Sequence, residues 1–157
     1  MQQRNETVAA AFSDFQRLKT IHQAFIEEIK KQDQSQSQVS SLKVVDGTLC
    51  VSYLELEFRA ARRSVAAEFR LVANEYAFVG SIGGQEHVLL CLYLTPDGNL
   101  YLNSSLDVAS RLCDYNNQYV VSNILAYSTE TGRSVHGKLD SRSVATRGLF
   151  FTPDLWV

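Results

Sequence analysis

The sequence predicts an α+β protein: a long amphipathic N-terminal helix packed on a mostly antiparallel five- or six-stranded sheet, with one or two further helices after residue 103. Three observations predict it. Apolar residues recur every three or four positions from Glu6 to Lys31, and the period changes to two from Leu42 onward. The strand-like runs are also joined by connectors too short for parallel crossovers.

Size and composition agree with that class. A chain of 157 residues fits one domain, and a domain of that size buries enough surface to need no metal or disulfide staple. Residues 1–32 read as the helix, 33–41 as a polar linker and 42–157 as the sheet-containing body. A hydrophobic fraction of 45% and a charged fraction of 20% exclude a disordered or rod-like chain. The formal charge of −2 lacks the basic excess of a general nucleic-acid binder, so no nucleic-acid partner is expected. The longest apolar run, Val88 to Leu94, is far short of a membrane span, and no membrane partner is expected. The polar start from Met1 to Thr7 lacks the apolar stretch of a signal peptide. Cys50, Cys91 and Cys113 are odd in number and form no Cys-x-x-Cys. That pattern predicts free thiols in a reducing, cytoplasmic setting. Cys50 and Cys91 lie in apolar strand-like runs and are expected to be buried.

On the helix, Val8, Ala11, Phe15, Leu18, His22, Phe25 and Ile29 form one stripe, which Phe12, Ile21 and Ile26 widen. Asp14, Arg17, Lys19, Glu27, Glu28 and Lys30 are assigned to the opposite, wet face. After the linker, Leu42–Val45 and Thr48–Arg59 read as strands around an Asp46-Gly47 turn. The next strand runs through Val65, Ala67, Phe69, Leu71 and Ala73, with the hairpin turn at Arg62–Val65. That register sets Glu57 opposite Arg70 and Arg59 opposite Glu68 on a wet face. Tyr76–Ile82 is a strand closed by Gly83-Gly84, and His87–Leu94 suits a central strand. Thr95-Pro96-Asp97-Gly98-Asn99 is a turn leading into a strand at Leu100–Asn103. Ser104 or Ser105 then caps a helix running through Cys113, with Leu106, Ala109, Leu112 and Cys113 inward. Gln118–Tyr127 fits a helix, although its β-branched content leaves a strand open. Thr129–Asp140 is turn-rich, and Gly148–Val157 is an apolar tail expected to dock on the core.

The helix stripe has two uses. It packs on its own sheet, or, because it also keeps heptad register over three repeats, it pairs with a second copy. Phe12, Phe15, Leu18, His22, Phe25 and Ile29 are therefore the candidate self-association residues. His22 is either a pH-sensitive group at such an interface or a histidine with its polar tip bonded at the edge of the core. A second set, Arg59, Arg62, Arg63, His87, Arg133 and His136, supplies forked or imidazole contacts for an anion or an acidic partner. Its plainer reading is a solvated loop neutralised in part by Glu57 and Glu68.

Other motifs carry little. The glycine-rich run Gly80–His87 precedes a strand and lacks a Lys-Ser/Thr pair, so it reads as a hairpin turn and not as a phosphate cradle. Nothing places Cys113, Asp114 or Tyr115 beside His87 or His136, and no ligand pair has metal-binding spacing. No catalytic residue, metal or cofactor is assigned. The expectation is a cytoplasmic protein that acts by binding another protein or itself, as a homodimer of adaptor, regulatory or toxin-neutralising type. The alternative is a small-molecule binder or small enzyme with a pocket between helix and sheet, drawing on Tyr53, Tyr76, Tyr93, Tyr101 and the arginines.

Overall fold

The computed structural model describes residues 2–32 and 40–131. Helix α1 (Gln2–Lys31) has no proline or glycine, and Lys30 and Lys31 in its last turn complement the negative end of the helix dipole. Seven strands follow: β1 (Ser40–Val45), β2 (Thr48–Tyr53), β3 (Leu56–Ala67), β4 (Arg70–Ile82), β5 (Gln85–Leu94), β6 (Asn99–Tyr101) and β7 (Arg111–Asp114). They form one antiparallel meander in which each strand pairs with its successor. A second helix, α2, occupies 120–131.

The core lies between one face of the sheet and the two helices. Phe25 and Ile29 of α1 meet Tyr76 and Phe78 of β4, Leu92 and Leu94 of β5, and Val120, Val121 and Ile124 of α2, and Leu18 is buried on the same helix. All are essentially without solvent contact, and each such side chain contributes about 1.5–3 kcal/mol on full burial. Gln32, just past α1, ties the helices together: its Nε2 donates to Asn117 O at 3.0 Å, and its Oε1 accepts from Val121 N at 3.4 Å.

The sheet has seven strands where five or six were expected, and three segments fold differently from their pattern. The run Thr48–Arg59 is broken by a two-residue turn at Leu54-Glu55, and the hairpin turn expected at Arg62–Val65 lies at Glu68-Phe69. Both residues of each turn have positive φ: 47° and 71° for Leu54 and Glu55, 50° and 67° for Glu68 and Phe69. Asp46-Gly47 and Gly83-Gly84 turn in the same way with residues made for it. A left-handed conformation costs an ordinary L-residue about 1–2 kcal/mol, so turn chemistry gave no warning at the other two. The third difference is the expected helix from Ser104 to Cys113. A short 3-10 turn at Val108–Ser110, capped by Asp107 Oδ1 on Ser110 N, leads instead into β7. One full helix, α2, therefore follows residue 103 among the described residues.

The moved turn changes the register. Glu57 faces Ser52, Arg59 faces Val79, Arg62 faces Tyr76 and Arg63 faces Glu75, so the expected Glu57–Arg70 and Arg59–Glu68 pairs do not form. Strand β2 pairs with β3 only at Leu56–Arg59, and β5 pairs with β4 only from Asn74 onward. The Ser64–Ala73 end of the hairpin is consequently a two-stranded ribbon reaching past both neighbours. Such a ribbon is marginal in water by itself, and what supports it is α1.

Candidate functional site

Two places on the α1 side of the sheet gather polar or exposed side chains. The first is where α1 holds the ribbon. Arg70 donates to Asp14 through Nε and Nη2, each at 2.7 Å, and the Leu71 N–H donates to the same carboxylate at 3.1 Å. Asp14, assigned by sequence to the wet face, is only 3% exposed. Its spacing was the available signal, since it stands four residues before Leu18 and eleven before Phe25 on the buried side. The Arg70 fork, outweighing desolvation, holds the Asp14 carboxyl below its ordinary range.

Around this clasp the apolar stripe divides. Leu18, Phe25 and Ile29 are buried in the chain's own core, whereas Val8, Phe12 and Phe15 are exposed, Phe12 at 65% and Phe15 at 46%. Phe69, next to Arg70 at the ribbon tip, is 85% exposed. These three phenylalanines together leave roughly 300–500 Å² of aromatic surface in water, Phe12 and Phe15 on α1 and Phe69 at the ribbon tip.

The second place is a polar cleft of about 280 Å³ where α1 meets the β1–β2 turn and β3–β4. It is lined by His22, Gly47, Thr48, Leu49, Ala60, Arg62 and Tyr76. His22 Nδ1 lies 2.8 Å from the Tyr76 hydroxyl, and the two rings stack at 24°. His22 therefore has its polar tip bonded at the edge of the core. Burial, aided by the Arg62 charge, holds its imidazole down to about 4, so it is neutral at physiological pH. Burial likewise raises the Tyr76 phenol. A larger hollow of about 400 Å³ between α1 and Pro96 and Tyr115 has Arg17 as its charged residue among the described lining.

The arginines divide by partner. Arg59 binds Glu57 at 3.1 Å on the surface. Arg63 forks onto the buried Glu75, Nε at 2.6 Å and Nη2 at 3.1 Å, while the Tyr93 hydroxyl donates to the same carboxylate at 2.9 Å. Glu75 is held below its ordinary range by Arg63, and Tyr93 is pushed up to about 12 by burial and then by Glu75. Arg62 points to the α1 side, where Nη1 donates to Asn74 Oδ1 at 3.3 Å. Among the described residues it has no carboxylate partner. Sequence adjacency brought these arginines to one strand, and strand alternation sent Arg62 and Arg63 to opposite faces.

His87 is buried on β5 opposite Gly80. Arg133, His136, most of the 33–41 linker and the Gly148–Val157 tail lie outside the described residues. Cys50 and Cys113 are buried and Cys91, expected to be buried, is half-buried; all three are free, and burial raises each thiol. Among the described residues no group of histidine, cysteine, aspartate and glutamate has the arrangement of a metal site. No described helix is long and apolar enough to cross a membrane.

Fold and sites define an α+β protein: an antiparallel meander covered by two helices, with an exposed aromatic end and a polar cleft beside it. Comparison of the chain with protein families, with characterised proteins and with solved structures finds no match.

Proposed function

We propose that this is a protein-binding protein of the cytoplasm that pairs with a second copy of itself through the clasped end of α1 and the β3–β4 ribbon. The observation that carries the reading is the exposure of Val8, Phe12 and Phe15 on α1 and of Phe69 beside Arg70 on the ribbon, two elements joined by the Asp14–Arg70 fork. The fork fixes helix and ribbon relative to one another, so the aromatic groups are presented on a stiff support and lose little freedom on binding. Aromatic anchors of this kind dominate interface energetics.

A second copy is the favoured partner because the array is self-complementary. Val8, Phe12 and Phe15 follow one another at four and three residues, and a two-fold axis lays that short seam against its own image. The free thiols suit a reducing compartment.

Sedimentation velocity over a concentration series tests the reading with wild type, Phe12→Asp and Phe69→Asp. Both positions are exposed, so the variants keep the fold, as circular dichroism checks. Wild type should dimerise in the micromolar range, and each variant should need at least about tenfold more protein, the equivalent of 1.4 kcal/mol. A wild type that stays monomeric at high micromolar concentration removes self-association. Variants that dimerise like wild type place the interface elsewhere.

A further inference from the structure

We propose that the cleft between α1, the β1–β2 turn and β3–β4 is a binding site for a small monocarboxylate, held by the Arg62 guanidinium with Thr48 and the His22–Tyr76 pair as neutral hydrogen-bonding partners. None of these residues belongs to the face proposed for self-association.

Arg59, Arg63 and Arg70 on the same hairpin are each within 3.1 Å of a carboxylate, from Glu57, Glu75 and Asp14 respectively. Arg62 differs. Among the described residues, its side chain donates to the amide oxygen of Asn74, a neutral acceptor, at 3.3 Å. A guanidinium offers five N–H donors, so Arg62 retains the capacity for a forked contact to a carboxylate. It does so at the wall of a cleft whose described lining contains no acidic residue.

The neighbours set the ligand's class. His22 Nδ1 and the Tyr76 hydroxyl are bonded to each other at 2.8 Å, which fixes the ring and commits one proton between them. Thr48 adds a hydroxyl that both donates and accepts. The site thus presents one fixed positive charge and several neutral polar groups. That suits a ligand with one negative charge and leaves a phosphate dianion half uncompensated. The cleft's 280 Å³ lies just below the usual range for ligand pockets and limits the ligand to a few heavy atoms.

The placement also follows from the fold. Arg62 faces Tyr76 directly across β3 and β4, so the cation and the phenol share a face by register. His22 reaches them because α1 crosses β4 at this level, where Asn74 Nδ2 donates to Leu18 O at 2.8 Å one helical turn earlier.

Titration of the 15N-labelled full chain with lactate, followed by amide shifts, tests the proposal. Lactamide serves as the uncharged isostere and inorganic phosphate as the competing anion. Lactate should saturate with a dissociation constant in the millimolar range and shift residues 47–49, 60, 62 and 76. Lactamide should produce no saturable shift, and phosphate should bind more weakly than lactate. Arg62→Gln should weaken lactate at least about tenfold, while Arg59→Gln, which removes a surface guanidinium outside the cleft, should leave it unchanged. Arg62 is exposed, and the dispersion of the variant's spectrum reports directly that it is folded. The proposal is overturned if Arg62→Gln binds lactate as wild type does, if lactamide shifts the same residues, or if no saturable shift appears. Tighter binding of phosphate would overturn the carboxylate assignment.

Discussion

Asp14 and Arg70 meet through two parallel hydrogen bonds of 2.7 Å, fifty-six residues apart in the chain, and this contact joins the N-terminal half of α1 to the β3–β4 ribbon. It is a forked pair with one member buried. Removing the guanidinium leaves the carboxylate without its counter-charge, and removing the carboxylate leaves the Leu71 N–H without its acceptor.

Asp14→Asn should therefore lower the urea midpoint at pH 7. The sign of the pH dependence follows from the depressed carboxyl. The stabilisation is complete above the ordinary value of 3.8 and is lost as pH falls through the lower folded value. The gap between wild type and Asp14→Asn should thus close in strong acid. A gap of the same size at pH 7 and in strong acid would assign the loss to packing and not to the ion pair.

His22 gives the opposite kind of titration. Its imidazole is held at about 4 against an ordinary 6.5, so between those values the unfolded chain takes up a proton that the folded chain does not. Stability should fall as pH drops from 6.5 toward 4 and be unaffected by this group above 6.5. Allowing for partial exposure, the contribution is about 1–2 kcal/mol. Denaturation of wild type and His22→Gln at pH 7.5 and 4.5 measures it. The variant should lose less stability than wild type over that interval, and equal losses would show that His22 is not the group responsible.

The Leu54-Glu55 turn is a place where a local rule is broken at a cost. Both residues are left-handed, and Leu54 is exposed, so little packing depends on it. The double substitution Leu54→Asn with Glu55→Gly installs the residue types that tolerate this conformation. It should raise stability by about 1–2 kcal/mol. Unchanged or lower stability in a denaturant melt would mean that the hairpin does not turn in this way.

Gly80 illustrates the reverse case, a glycine required by space and not by its backbone angle. A Cβ at this position would press on Glu57 O and lie 2.8 Å from the Phe58 ring, and Phe58 is a fully buried core residue. Gly80→Ala should destabilise by about 1–3 kcal/mol through overpacking. Gly47→Ala has open space but a φ of +77°, so its cost should come from the backbone alone. A harmless Gly80→Ala would disprove the close approach of β3 to β4 there.

Periodicity and turn residues by themselves determined the fold class, the long N-terminal helix, the hairpins at Asp46-Gly47 and Gly83-Gly84 and the Thr95–Asn99 turn, whereas the choice of helix over strand after Gln118 was left to the structure. The former are set by neighbours within a few residues, where amphipathic spacing and the left-handed tolerance of glycine act locally. The turns at Leu54-Glu55 and Glu68-Phe69 were decided by tertiary structure, because strand pairing on both sides outweighs the cost of four ordinary residues with positive φ. The sites depend on that outcome. Moving the turn to Glu68-Phe69 carries Arg62 opposite Tyr76 and Arg63 opposite Glu75, and it brings Arg70 to Asp14. Local pattern marks a charged residue in an apolar helix as exposed. Burial of Asp14, the pairing of His22 with Tyr76 and the division of the stripe into a buried and an exposed half are long-range contacts, fixed only by how far the sheet reaches beneath the helix.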